Sequence, residues 1–312
     1  MQFLYIGLGV AAFLVVAVLL ISYACFRRAF YVKDSDKIPK EEYPIPDGKI
    51  YEPYRDKMVG WMKEVQTIPC QEFNIRSFDG LNLRGKYYEY APGSIIEIMF
   101  HGYRGCAERD LCGGVQRCFK LGHSALIVDQ RCAGKSGGNV ITFGINESRD
   151  CLDWMHFAID HFGPDCRLML TGISMGASTV MIAAGEDLPK NVIGVLADCG
   201  FTSAKAIIRK EIRQLGLPPA LAYPFVKLGA RLYGHFDLEK TSSLEAMGKC
   251  KVPVIFFHGE ADDYVPCDMS RENFAACASK KKLVTVPGAG HGLSIMLDPQ
   301  GYRAAMKEFF RE

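Results

Sequence analysis

Apolar and polar residues alternate along positions 71–77 and 81–90, and Asp79-Gly80 separates the two runs. Alternation of period two interrupted by Asp-Gly predicts an antiparallel hairpin. After it the pattern changes. Residues 95–100, 125–129, 167–172, 192–198, 252–258 and 282–286 are short and largely apolar throughout, as strands buried on both faces are. Between them, residues 112–121, 147–162 and 176–184 carry helical periodicity, and 301–310 carries it near the end of the chain. Strands alternating with helices predict an α/β fold, a mostly parallel sheet covered on both faces with the hairpin at its edge. Residues 201–249 break that rhythm. Their helical pattern is interrupted at Pro218, Pro219 and Pro224, which predicts a small helical cap inserted into the domain.

Residues 3–26 contain no charged side chain. About 20 apolar residues span a bilayer core, so this stretch predicts one transmembrane helix. A cleaved signal would need a basic leader and a shorter apolar run, and only Met1 and Gln2 precede this one. Arg27, Arg28 and Lys33 follow it, and the positive-inside rule then puts the body of the chain in the cytoplasm. The expected division is a membrane anchor over 1–28, a polar, proline-containing linker and lead-in over 29–70, and a domain over 71–312 with its cap at 201–249.

Charge and composition narrow the partners. Lysine plus arginine number 37 and aspartate plus glutamate 35, and without long basic runs there is no nucleic-acid surface. The 12 cysteines include no C-x-x-C pair. That argues against a zinc knuckle or a redox dithiol, and for small buried hydrophobes in a reducing compartment. No metal or organic cofactor is implied. Gly134-Lys135-Ser136 has the ending of a phosphate loop, but Asp129 stands where the first glycine of such a loop is required. Lys205, Arg209, Lys210, Arg213, Lys227 and Arg231 give the cap a basic face, read as an ordinary solvated surface.

The chemistry concentrates at Gly172-Ile173-Ser174-Met175-Gly176, between a predicted strand and a predicted helix. Two glycines at this spacing allow a tight turn that lifts the serine hydroxyl above the sheet. The N–H of Met175, at the helix start, would then face a developing oxyanion. A serine nucleophile needs a base, and the base needs a carboxylate. His291 sits in Gly288-Ala289-Gly290-His291-Gly292 after the last predicted strand, and the segment from His258 to Pro266 follows the preceding strand and offers Asp262 and Asp263. All lie past the C-terminal ends of strands, where an open α/β sheet keeps its site. His101 and His258 are expected to satisfy backbone groups in their loops; His123, His156, His161 and His235 are expected to pack or lie on the surface.

With these motifs in the order serine, acid, histidine, the chain resembles the α/β-hydrolase superfamily. Within it, the likeness is to the small-capped branch of serine-aminopeptidase-like, monoglyceride-lipase-like and esterase-like members, from about Phe73 to the C-terminus. The resemblance implies Ser174 as nucleophile, His291 as base and Asp262 as acid, since His258 to Pro266 fits H-G-x-x-D-x-x-V-P. Asp263 stays open as the alternative acid. His101-Gly102-Tyr103-Arg104-Gly105 matches H-G-x-x-G, which implies the Tyr103 N–H as a second oxyanion donor beside Met175. The stretch from Asp129 to Ser136 is similar to D-x-R-G-x-G-x-S but carries Cys132 where a glycine is usual. The function expected from the resemblance is a membrane-tethered serine hydrolase that cleaves small-molecule or lipid acyl esters. The alternatives are an aminopeptidase-like serine peptidase acting on peptides and a non-catalytic scaffold of the same fold.

Overall fold

The computed structural model describes residues 2–310. The chain opens with α1 (Gln2–Ala29), runs through α2 (Arg55–Thr67) and enters the sheet at β1 (Gln71–Arg76) and β2 (Asn82–Tyr88). There follow β3 (Ile96–Phe100), the single turn α3 (Ala107–Asp110), α4 (Cys112–Leu121), β4 (Ser124–Val128) and α5 (Glu147–Phe162). Then come β5 (Leu168–Ile173), α6 (Met175–Ala183) and β6 (Val192–Asp198). The cap supplies α7 (Ala204–Gln214), α8 (Pro219–Tyr233) and α9 (Ser243–Met247). The chain closes with β7 (Val254–Gly259), α10 (Cys267–Ala276), β8 (Lys281–Val286), α11 (Ser294–Leu297) and α12 (Pro299–Phe309).

One sheet results, in the order β1-β2-β4-β3-β5-β6-β7-β8. The β1–β2 and β2–β4 pairs are antiparallel and every later pair is parallel. The hairpin therefore sits at the edge, as its alternation predicts, and Gly80 takes φ +84° in its turn. Along the central strands successive side chains serve different cores, because strand residues alternate between faces. Ile98 and Phe100, Leu126 and Val128, and Val254 and Phe256 pack with Trp154 and Met181. Their neighbours face the other way: Met99 and Ile127 meet Val115 and Met62, while Ile255 and Phe257 meet Tyr302 and Met306. Double-sided burial explains why these strands read as continuous apolar runs.

Two features depart from the sequence pattern. Pro218 and Pro219 do stand at the start of α8, where proline is tolerated, but Pro224 lies inside that helix and does not end it. Pro224 is exposed, so the hydrogen bond it removes leaves a carbonyl that water can serve. The 29–70 stretch holds more structure than a polar linker: Tyr31 bridges Val140, and α2 buries Met62 and Val65 beside α4. The last turns of α1 also pack into the body. Phe26 and Phe30 join the apolar cluster under the cap with Phe143, Val226 and Phe236.

Candidate active site

Ser174 occupies the link between β5 and α6 at φ +56°, ψ −118°. A non-glycine residue held there is strained by about 1–3 kcal/mol, and its two glycines explain how the strain is accommodated. A Cβ on Gly172 would collide with the Gly176 carbonyl, and one on Gly176 with the carbonyl of Phe100. The Ser174 N–H donates to Asp198 O at 2.8 Å, which ties the turn to the neighbouring strand end.

The three sequence-predicted polar residues meet in one chain. The Ser174 Oγ lies 2.9 Å from His291 Nε2, and His291 Nδ1 lies 2.7 Å from Asp262 Oδ2. The tautomer these partners require carries its proton on Nδ1, donates it to Asp262, and leaves Nε2 to accept from the serine hydroxyl. Asp262, rather than Asp263, presents the carboxylate; Asp263 accepts Lys210 and Gln214 of the cap on its backbone carbonyl. Asp262 Oδ1 accepts the N–H groups of Tyr264 and Val265 at 2.9 and 2.8 Å. Burial alone would raise this carboxyl, but hydrogen bonds from His258 and His291 and from Val265 outweigh it and hold it down at about 2.

Both predicted oxyanion donors border the serine. Among the described residues, neither the Met175 N–H nor the Tyr103 N–H has an acceptor. Gly102 places its Cα side against Ser174, with an added Cβ only 3.6 Å from the Ser174 Cβ. Its N–H donates to Asp110 Oδ2 at 3.1 Å, and Asp110 is paired with Arg109 at 2.6 Å. His101 behaves as expected of a loop histidine. Its ring spans Gly102 O and the Gln130 N–H, and burial depresses its pKa so that it stays neutral. His258 does more than expected, since its Nε2 lies 2.8 Å from Val265 O and 3.2 Å from Asp262 Oδ2.

The tip of the 101–105 loop is held by the last turn of α1. The Tyr103 hydroxyl donates to Ala29 O at 2.8 Å, and Arg104 Nη2 donates to Arg28 O and Tyr31 O at 3.0 Å each. Carbonyls in the last turn of a helix have no partners within it; here the loop supplies two of them. Cys132, at the position where a glycine is usual, adopts φ +67°. The loop keeps the glycine-like backbone and meets its cost with a larger residue.

Sequence reasoning missed several neighbours of the site. The Tyr51 hydroxyl donates to His291 O at 3.1 Å. A cavity of about 640 Å³ runs from Ser174 and His291 past Tyr51, Met58 and Trp61. Its lining includes the buried polar residues Arg117, Asp198 and Tyr302. No local pattern marks Tyr51, because its importance arises from residues 240 positions away. Cys199, buried at φ +48°, forms with Asp262 and His291 the one cluster of three metal-capable side chains among the described residues. Two of its members already spend their donor atoms on each other. Burial and the nearby Asp198 and Asp262 carboxyls push the Cys199 thiol well up, so it stands as a neutral thiol.

The sequence profile of the prolyl oligopeptidase family matches residues 142–312. Uncharacterized protein YqkD of Bacillus subtilis is 26% identical over 190 residues, 61% of this chain and 62% of its own, so the chain spans less than two thirds of that relative. Uncharacterized protein Rv2307c of Mycobacterium tuberculosis is 25% identical over 288 residues, 92% of this chain and 87% of its own. Among solved structures, the Pyrococcus furiosus esterase Pf2001 is similar at a TM-score of 0.65 and 22% identity, covering 86% of this chain and 96% of its own. At that identity the likeness is one of fold.

Proposed function

The chain belongs to the prolyl oligopeptidase family of α/β hydrolases, and from that premise we propose that it is a membrane-tethered serine hydrolase that cleaves acyl esters, including those of lipids. The observation that carries the reading is the hydrogen-bonded chain from Ser174 through His291 to Asp262, with Ser174 and His291 lining a largely apolar cavity. In this reading Ser174 Oγ attacks the ester carbonyl as its proton passes to His291 Nε2. Asp262 stays ionised and stabilises the imidazolium. The N–H groups of Met175 and Tyr103 receive the oxyanion. The imidazolium returns its proton to the departing alkoxide, which leaves an acyl ester on Ser174. Water, deprotonated by His291, then attacks that ester, and the proton goes back to Ser174 as the carboxylic acid departs.

The apolar helix α1 supports the tether, being long and apolar enough to cross a bilayer. Arg27, Arg28 and Lys33 after the span place the hydrolase domain on the cytoplasmic side in this reading. The family description supports a second reading, release of residues from peptides. The two separate on substrate: p-nitrophenyl acyl esters of graded length against aminoacyl p-nitroanilides. Labelling by a fluorophosphonate probe is expected for the wild type and not for Ser174→Ala, whose kcat should fall by about 10⁴–10⁶-fold with folding intact. Near-normal turnover by Ser174→Ala would remove the nucleophile assignment. Folded wild type that resists the probe would favour the inert scaffold.

A further inference from the structure

The anchor and the cap are packed to a degree that fixes where a bilayer can lie. The Tyr233 hydroxyl of α8 donates to Leu19 O of α1 at 3.1 Å, and the Tyr233 ring meets Tyr23 edge-on at 5.1 Å. Four residues earlier on α8, a Cβ on Gly229 would collide with Ser22 O, so the two helices touch backbone to backbone there. The register runs backwards along α1 as it runs forwards along α8. The helices are antiparallel, and the C-terminal end of α8 points toward the free end of the anchor.

Length then decides the level of the membrane. The uncharged run over residues 3–26 makes about 36 Å of helix at 1.5 Å per residue, against a bilayer core of about 30 Å. That run includes the turn from Leu19 to Ser22, which is sheathed by the end of α8. Tyr23 falls just beyond that turn, at the depth where aromatic belts sit, with the Tyr233 ring against it and its hydroxyl reaching back to Leu19 O, and with Arg27 and Arg28 behind them.

α8 has the composition for such a place. On the side away from its buried residues, Leu221, Phe225, Leu228 and Leu232 recur at helical spacing; Leu221 is 69% and Leu232 41% exposed. The helix contains no acidic residue; Lys227 is paired with Glu239 at 2.6 Å, and exposed Arg231, with Arg27 and Arg28 of α1, gives the positive charge that suits a surface of anionic lipid. We propose that the C-terminal half of α8, through Leu228 and Leu232, is inserted into the same leaflet that α1 enters, so that the cap is a membrane-contacting element. This rests on the tethered reading of the protein. Its partner is a lipid surface that contains anionic headgroups.

The test uses the full-length protein in vesicles of phosphatidylcholine and phosphatidylserine with brominated acyl chains. Tryptophan is introduced as Leu232→Trp, Leu228→Trp and, as a control on α9, Leu244→Trp; the wild type with its 2 tryptophans gives the background. The 232 and 228 variants should lose most of their added emission to the bromines and the control should keep its own. Vesicle-bound protein with Leu232→Trp and Leu228→Trp both unquenched would overturn the insertion and leave the tether standing. Protein that fails to float with the vesicles would overturn both. Shielding of the stripe seen only in nanodiscs that hold two copies would assign it instead to a second copy of this chain.

Discussion

Two buried carboxyl groups stand at the ends of neighbouring strands, and their pKa values are shifted in opposite directions. Asp262, after β7, collects two backbone N–H groups and two imidazoles, and its pKa is held at about 2. Asp198, at the end of β6, has only the Tyr302 hydroxyl at 3.0 Å on one oxygen, while its other oxygen has no partner among the described residues. Burial therefore dominates and raises its pKa, against the opposing pull of His258, Tyr302 and His291. Both groups lose water. What separates them is the number of donors aimed at the charged form, and in the proposed mechanism it is the better-served one that balances the positive charge arising on His291.

The largest test of that contrast is Asp262→Asn, which should lower kcat for ester hydrolysis by about 10⁴-fold, the size such a change has in serine-histidine-aspartate sites. Asp198→Asn should leave kcat within the same order of magnitude. If both substitutions cost the same, the two carboxyls share the work and the contrast fails.

A smaller effect lies in the pH dependence of stability. Asp262, with its pKa depressed, stabilises the fold above the ordinary carboxyl range near 3.9 and loses that contribution as pH falls from about 4 toward 2. Asp198 has the opposite sign. Its raised pKa costs stability as pH rises from about 4 through its folded value. Thermal melts should therefore show the advantage of Asp198→Asn over wild type growing as pH rises above about 4; a constant difference would mean that the carboxyl ionises without penalty. The smallest effect is expected from Tyr302→Phe, which removes the single donor to Asp198 and should cost about 1 kcal/mol in urea unfolding. Its kcat should not change.

The sequence made the turn at Ser174 legible because its requirement is local. Gly172 and Gly176 are needed by close backbone approach, and glycine at those positions is a message written in five residues. His291 was legible by its place after the last strand, and position alone left Asp262 and Asp263 open until the resemblance to H-G-x-x-D-x-x-V-P favoured Asp262. The hairpin and the double-sided strands announced themselves through periods that match their burial. Tyr51 and Trp61 left no such trace, since they line the cavity only once residues 240 positions apart have come together. α2 mixes its two buried residues, Met62 and Val65, with polar ones along RDKMVGWMKEVQT, which blurs the helical period. Asp198 could be seen as a strand end, but its protonation state depends on a tyrosine 104 positions later.

The docking of the anchor has a consequence for proteolysis. Residues 34–42 are mostly exposed, and a protease cutting there would sever the covalent link between α1 and the rest of the domain. In the tethered reading, release from the membrane would still not follow. Phe26 and Phe30 remain buried in the cluster beneath the cap, with the Phe30 ring edge-on to Phe143 at 5.8 Å and to Phe236 at 5.2 Å. Each such side chain holds about 1.5–3 kcal/mol of burial, and Tyr103 and Arg104 keep their grip on the helix end. In the tethered reading the nicked protein would stay on the bilayer as a two-fragment complex, and shedding would need α1 pulled away from Tyr103 and Arg104.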